Sequence, residues 1–230
     1  MSSAAPASQA ITIPLEEGRA VSGLYDAPGD ARALFVCAHG AGAGMTHKGM
    51  AAVAAGLAAR GVAVLRYNFA YMEQGSKRPD APPLAHAAVR AAVAVGQKLA
   101  LDLPLIAGGR SFGGRMTSQA QAEAPLPGVR GLAFLGFPLH PAGKPGIARA
   151  AHLMQIAIPM FFLQGARDAL AEMDLLRPVV AALAPRATLQ VVEGGDHSFR
   201  TPARAAKPPA AVEAEWLDAL AAWILRIARA

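Results

Sequence analysis

Within this 230-residue chain, the run Gly108 to Arg115 reads G-G-R-S-F-G-G-R and contains G-x-S-x-G as Gly109, Arg110, Ser111, Phe112 and Gly113. Small residues two before and two after a serine permit a sharp strand-to-helix turn, in which any Cβ would meet crowded backbone and from which the hydroxyl projects. The plain alternative for such a run is a glycine-rich turn that serves packing alone. A serine hydroxyl is a weak nucleophile until a base takes its proton, and that base needs an acceptor to hold it. An acid and a histidine must therefore follow. Gly165-Ala166-Arg167-Asp168 and Glu193-Gly194-Gly195-Asp196-His197-Ser198-Phe199 supply them, giving Ser111, Asp168 and His197 in that order. Asp196 is a rival acid, but adjacent side chains in extended chain point apart, and Asp174 is a third candidate on a helix.

Acyl chemistry also needs two backbone N–H groups aimed at the oxygen on which charge develops. The residue directly after the nucleophile, Phe112, supplies one. The loop His39-Gly40-Ala41-Gly42-Ala43-Gly44 supplies the other, assigned to Ala41, because its glycines let backbone approach a substrate unobstructed. The same loop lacks the lysine and hydroxyl of a phosphate-cradling G-x-x-x-x-G-K-[ST]. His140 follows a strand end and, with Arg110 in the turn itself, is expected to line the substrate site; loop backbone is the alternative partner for His140. His39 reads as a structural hydrogen-bonding residue and Cys37, inside an apolar strand, as buried and inert. The histidines show no H-E-x-x-H or C-x-x-C spacing, so neither a metal nor another cofactor is expected. Arg110, Lys77, Arg78 and Lys144 form a basic rim that would focus an attractive field on an anionic substrate, or else are simply solvated charges.

These residues need elements to carry them. Ala33 to Ala38, Val62 to Tyr67, Leu103 to Ala107, Gly131 to Gly136, Met160 to Gln164 and Thr188 to Val192 are continuous apolar runs of the kind a parallel sheet buries on both faces. Between them lie Ala-rich stretches of helical length: Gly49 to Arg60, Ala85 to Leu101, Phe112 to Glu123, Leu170 to Leu183 and Ala211 to Ala228. In the last, Val212, Trp216, Leu217, Leu220, Trp223, Ile224 and Ile227 recur at intervals of three and four, a stripe that should pack on the sheet. Ala10 to Leu15 and Ala20 to Tyr25 read as a preceding hairpin across Glu16-Glu17-Gly18. The alternation predicts a three-layer α/β domain. Ser111, Asp168 and His197 each fall just past a predicted strand, where ligand sites of such sheets converge. Three such placements together outweigh the packing-only reading of the turn. Gly75 to Pro83, Phe137 to Gly146 and Arg200 to Pro209 are loops over that site, with no large cap. One domain over residues 10–230 is expected, after a frayed start at 1–9.

Composition narrows the class. Hydrophobic residues make up 53% and charged residues 17%, which argues against disorder. Lys plus Arg is 22 against 16 Asp plus Glu, for a net charge of +6 and a pI near 10.0. Phosphate binding needs that charge clustered, and the longest basic run is the pair Lys77-Arg78, so no nucleic-acid partner is expected. The single cysteine precludes an intrachain disulfide, Met1 to Ala20 has no basic stretch followed by an apolar one, so no secretory signal is expected, and apolar stretches are too short or too interrupted to span a bilayer. A cytoplasmic protein without a membrane partner is the expectation.

The H-G-A-G-A-G loop, G-G-R-S-F-G-G-R, G-A-R-D and G-G-D-H-S-F together resemble the α/β-hydrolase superfamily across nearly the whole chain. R-Y-N-F at Arg66 to Phe69, K-R-P-D at Lys77 to Asp80 and G-F-P-L-H-P-A-G-K-P at Gly136 to Pro145 resemble its compact, dienelactone-hydrolase-like branch. That branch includes a regulatory subunit of a chromatin acetyltransferase complex. The resemblance maps nucleophile, acid and base onto Ser111, Asp168 and His197, and implies hydrolysis of a small-molecule ester, thioester or amide through an acyl-enzyme. Dienelactone hydrolases proper carry cysteine as nucleophile, so the serine here does not imply their substrate. A non-catalytic interaction module on the same scaffold is the competing class. Such a module need not retain all three groups, and this sequence has all three.

Overall fold

The computed structural model describes residues 8–202 and 205–229. Most of the frayed start expected at 1–9 therefore lies outside the described residues, although Gln9 already belongs to a strand. β1 (Gln9–Pro14) and β2 (Ala20–Asp26) form the antiparallel hairpin, joined by a 3-10 turn at Glu16–Gly18 in which Glu17 and Gly18 take positive φ. β3 (Ala33–Ala38), β4 (Val62–Tyr67), β5 (Leu105–Arg110), β6 (Val129–Leu135), β7 (Met160–Gly165) and β8 (Ala187–Val192) complete an eight-stranded sheet in the order β1-β2-β4-β3-β5-β6-β7-β8. β2 meets β4 antiparallel, and every pairing from β4 to β8 is parallel.

The apolar runs and the sheet correspond because residues buried on both faces cannot alternate in polarity. Every residue of β3, β4 and β7 is buried. β8 differs. It lies at the edge, and Thr188 and Gln190 are exposed while Leu189 and Val191 face the protein, so it alternates like a half-covered strand. β5 begins later than the sequence suggests, since Pro104 has no N–H for a ladder, and it runs on through Gly108 and Gly109 to Arg110. That extension needs glycine: φ is 153° and 148°, and a Cβ would lie 1.9 Å from the Ala133 carbonyl oxygen and 2.2 Å from that of Ala38.

Helices cover both faces. α1 (Lys48–Ala58) and α6 (Pro209–Arg229) lie on one, where Met50, Val53, Trp216, Leu220 and Ile224 pack against Phe35, Val64 and Ile106. α2 (Ala70–Glu73), α3 (Pro82–Leu99), α4 (Phe112–Glu123) and α5 (Met173–Ala182) are set against the other, with Val89, Met116 and Leu176 against Leu34, Val36 and Leu132. Alternate residues of one strand thus feed two separate cores, Leu34 and Val36 one way, Phe35 and Cys37 the other. α2 and a 3-10 segment at Ala148–Gln155 are too short to have shown a helical period in the sequence.

Candidate active site

Ser111 occupies the turn between β5 and α4 with φ 48° and ψ −112°, a conformation that costs a non-glycine residue on the order of 1–3 kcal/mol. Its surroundings fix it there. The Ser111 N–H donates to the Leu135 carbonyl at 3.1 Å, and its own carbonyl accepts from Arg115 N–H at 3.0 Å. Close approach of β3 makes the flanking glycines obligatory: at Gly113 a Cβ would lie 2.5 Å from the His39 carbonyl oxygen. The hydroxyl is left on a partly exposed residue at the carboxyl end of the central strands.

Two other strand ends bring the remaining groups to it. His197 Nε2 lies 2.9 Å from Ser111 Oγ, and its Nδ1 lies 2.7 Å from Asp168 Oδ2. Asp168 is 2% exposed, and its carboxylate is held by hydrogen bonds besides the imidazole's. Leu170 N–H donates to Oδ1 at 2.8 Å and the Gln164 amide donates to Oδ2. Gln164 is oriented in turn because its Oε1 accepts from Phe137 N–H at 2.9 Å. Gln164 carried a usable signal that sequence reasoning missed, since a polar residue closing the buried run M-F-F-L-Q needs a partner.

The loop bearing His197 is shaped by Asp196, whose Oδ1 accepts from Ser198 N–H at 2.7 Å and Arg200 N–H at 2.9 Å. Asp196 is thereby occupied with its own turn, and Asp174 lies in the first turn of α5, beside an apolar groove of about 400 Å³ shared with Ala148–Gln155. Neither competes with Asp168 for the imidazole. Gly165 admits the loop, since a Cβ there would stand 2.2 Å from the Asp196 carbonyl oxygen.

Both residues expected to line the substrate site have partners within the protein. Arg110 donates to the His197 carbonyl at 3.3 Å and stacks over the Phe199 ring at 5.5 Å, so it braces the histidine loop. His140 is 2% exposed; its Nδ1 sits 2.9 Å from the Pro141 carbonyl oxygen and its Nε2 meets the Glu172 carboxylate. It ties the loop after β6 to the one after β7, and a substrate has no access to it. Lys77, Arg78 and Lys144 are exposed charges.

The H-G-A-G-A-G loop lies alongside the nucleophile: a Cβ on Gly40 would be 3.6 Å from Ser111 Cβ. His39 is wholly buried, and its tautomer follows from its partners. Phe69 N–H donates to Nε2 at 3.1 Å, so the proton sits on Nδ1, which donates to the Gly40 carbonyl at 2.7 Å. Burial also lowers the imidazole's pKa, which keeps it neutral. The Tyr71 hydroxyl reaches the same carbonyl at 3.5 Å. In a trans peptide the N–H points opposite to the C=O, so Ala41 N–H is turned away from His39 and Tyr71. Phe112 is the first residue of α4, where N–H groups have no intrahelical carbonyl.

A second serine–histidine contact differs in kind. Ser118 lies inside α4, and its hydroxyl donates to the Arg115 carbonyl at 2.9 Å, so His152 Nε2, 2.7 Å away, must be the donor to it. Burial, reinforced by the Arg115 and His86 charges, pushes the His152 pKa down to about 4. That imidazole cannot serve as a base toward this serine. Cys37 is wholly buried and its thiol is pushed up to about 12. Among the described residues no cluster of His, Cys, Asp or Glu is arranged to hold a metal ion, and no helix is long and apolar enough to cross a membrane.

No curated protein matches the chain by sequence. Solved structures share its fold at low identity. Dienelactone hydrolase from Anabaena variabilis is 18% identical, with 97% of this chain and 99% of that one covered at a TM-score of 0.76. Est1E from Butyrivibrio proteoclasticus with ferulic acid bound is 15% identical, covering 94% and 99% at 0.73. A serine hydrolase without a lid from Xanthomonas campestris is 18% identical, covering 95% of each chain at 0.71. The compact fold is that of the dienelactone-hydrolase-like branch. Residues 31–225, which carry every strand from β3 to β8 and all of the Ser111 site, match the alpha/beta hydrolase domain family, and the chain belongs to it.

Proposed function

We propose that this protein is a serine hydrolase cleaving a small ester, with thioester or amide as the related alternatives, through an acyl-enzyme. The observation that supports this most strongly is the unbroken series Ser111 Oγ, His197 and Asp168, at 2.9 and 2.7 Å, with the hydroxyl at a partly exposed strand end. An interaction module would have no use for such alignment.

In this reading His197 Nε2 accepts the Ser111 proton as Oγ attacks the carbonyl carbon. Asp168 keeps the Nδ1–H tautomer and stabilises the imidazolium that forms; its buried, fully hydrogen-bonded carboxylate needs no rearrangement to do so. The oxyanion is received by the N–H groups of Phe112 and Ala41, each worth on the order of 3 kcal/mol in the transition state. His197 then gives its proton to the leaving oxygen. Water, deprotonated by the same imidazole, attacks the acyl-enzyme, and Oγ leaves with the proton returned to it. No step calls for a metal or cofactor. With loops alone over the site, the substrate is a small or extended acyl compound. The Anabaena relative is named a dienelactone hydrolase and the Butyrivibrio one binds ferulic acid, which agrees with that size.

A fluorophosphonate probe tests the reading. The wild type should be labelled and should hydrolyse p-nitrophenyl acetate and butyrate, and Ser111→Ala should lose both properties. An unlabelled, inactive wild type overturns the proposal in favour of the interaction module, while a labelled Ser111→Ala would move the nucleophile elsewhere.

A further inference from the structure

Both oxygens of the Asp168 carboxylate depend on the loop that follows β6. Phe137 N–H fixes Gln164, whose amide donates to Oδ2. Oδ1 accepts from Leu170 N–H at 2.8 Å, and the Leu170 carbonyl in turn accepts from His140 N–H at 3.3 Å. Leu170 alone thus separates His140 from the carboxylate that meets the His197 imidazole. The buried His140 side chain strengthens the link, because its ring reaches Glu172, two residues past Leu170 and the cap from which α5 starts.

The protonation of this ring follows from counting donors and acceptors. Nδ1 lies 2.9 Å from the Pro141 carbonyl oxygen, which can only accept and which also receives Lys144 N–H at 3.1 Å. Nε2 meets the Glu172 carboxylate. A neutral imidazole has one N–H and cannot serve two acceptors, so the His140–Glu172 pair holds one proton more than a neutral ring beside an ionised carboxylate would. That proton belongs on the ring. The Glu172 side chain is 45% exposed, so water solvates its charge, and its own backbone N–H together with the imidazole holds its carboxyl below the usual carboxylate range. Other charged or titratable groups on these loops and on the segments they lead into are Lys144, Arg149, His152, Arg167, Asp168 and Asp174. Among the described residues none of these forms an ion pair or hydrogen bond with the ring, and Glu172 alone does.

We propose that His140, held as an imidazolium by Glu172, is a positioning residue for Asp168 and through it for His197. The inference rests on the serine-hydrolase reading and adds an alkaline limit to it. When the ring gives up its second proton, a bare nitrogen faces the carboxylate oxygens and the charge-assisted bond between the two loops is lost. Leu170 then keeps only the 3.3 Å backbone bond to His140, and its N–H loosens from Oδ1. The clamp is therefore closed at low pH and opens as pH rises. His197 works in the opposite sense, since it must be neutral to take the Ser111 proton. One histidine bounds activity on each side.

The test reads the ring first. In a long-range proton–nitrogen NMR spectrum of the isotope-labelled full chain at pH 7, the His140 signal, identified by its absence from His140→Gln, should show two protonated nitrogens. In Glu172→Gln the new amide can donate to Nε2, so the ring should turn neutral, with one bare nitrogen; should His140→Gln fail to fold, this change identifies the signal. A neutral His140 ring in the wild type overturns the proposal whatever the activity. The dependence of kcat on pH for p-nitrophenyl butyrate then reads the positioning. Wild-type kcat should rise with the His197 titration and fall several-fold as His140 loses its second proton, with KM little changed. Glu172→Gln, bridged by a bond that does not titrate, should keep the rise and lose the fall. Glu172→Ala, which strips Nε2 of its partner, should already lower kcat several-fold at pH 7. An equal alkaline fall in wild type and Glu172→Gln, or no loss in Glu172→Ala, overturns the positioning role. If the wild type cleaves no ester, the hydrolase reading falls separately. The downfield Nδ1 proton of His197 then decides: it should shift or broaden in Glu172→Ala and stay in place in Glu172→Gln, and no change in either refutes the clamp.

Discussion

A single peptide plane carries much of the chemistry assigned to this site, because the Gly40 carbonyl, gripped by His39 Nδ1–H at 2.7 Å and approached by the Tyr71 hydroxyl at 3.5 Å, sets where Ala41 N–H points. The two grips are unequal, and so are their expected effects. Tyr71→Phe removes one long neutral hydrogen bond and should cost about 0.5 kcal/mol, roughly twofold in kcat. His39→Ala removes a short one and strands the buried Phe69 N–H, so about 2 kcal/mol, roughly thirtyfold, is expected. In both, steady-state kinetics on one aryl ester should place the loss on kcat rather than KM, since the oxyanion exists only past the ground state; a KM effect alone would refute the assignment. Gly109→Ala should act on folding instead. A Cβ 2.2 Å from the Ala38 carbonyl oxygen forces β5 and β3 apart, and urea unfolding should show a loss of more than about 3 kcal/mol. Ser111, Asp168 and His197, which the structure brings within hydrogen-bonding distance of one another, could be located in the sequence because their order and their places after apolar runs constrain one another. What His140 and Arg110 touch could not be read in the same way: whether a polar side chain faces a substrate or a loop carbonyl depends on partners distant in the chain. Glu172 lies far along from His140, and His197 far along from Arg110.

Elements were legible to the degree that burial imposes a pattern. β3, β4 and β7 are enclosed on both faces and appear as unbroken apolar runs, whereas β8, covered on one side only, alternates. The α6 stripe fell where expected, with Trp216, Leu217, Leu220, Trp223 and Ile224 buried. α2 and the Ala148–Gln155 segment escaped notice because four and eight residues are too few to display a helical period. One link between elements was invisible for another reason: Arg66 interrupts the run of β4 and yet is 4% exposed. Its guanidinium donates from Nε and Nη2 to Asp26 at the end of β2, and from Nη1 to the Met45 carbonyl at 2.8 Å. It thus fastens the antiparallel edge to the loop that continues from H-G-A-G-A-G. Arg66→Met leaves the Asp26 carboxylate buried without its counter-ion and should destabilise the fold by about 3–5 kcal/mol, whereas Asp26→Leu combined with Arg66→Met should recover much of that. Chemical denaturation of the two variants checks this; equal losses would show that the packing of the arginine stem, rather than the charge left behind, dominates.

Over the whole molecule, charge and burial combine to make stability depend on pH in a direction that can be worked out. The net charge of +6 at neutral pH grows as carboxylates protonate, which raises self-repulsion in the compact state. His152 adds a specific contribution. Its folded-state pKa, lowered from 6.5 to about 4 by burial and by the Arg115 and His86 charges, lies below the value it regains on unfolding. Above pH 6.5 the imidazole is neutral in both states and contributes nothing to the difference. Between 6.5 and about 4 the unfolded chain takes up a proton that the folded chain refuses, so stability falls as pH falls through this window and levels off below it. Because the ring is partly exposed, solvent screening reduces the effect to on the order of 1–2 kcal/mol. His39, whose pKa burial also lowers, pulls the same way, so His152 accounts for part of the slope rather than all of it. His152→Gln keeps a donor for the Ser118 hydroxyl but cannot titrate. In urea unfolding at pH 7 and pH 4.5, the variant should lose about 1 kcal/mol less than the wild type on acidification. Parallel losses in the two proteins would mean that His152 takes up its proton at the same pH in the folded and unfolded chains, and that the acid sensitivity comes from net charge and His39 alone.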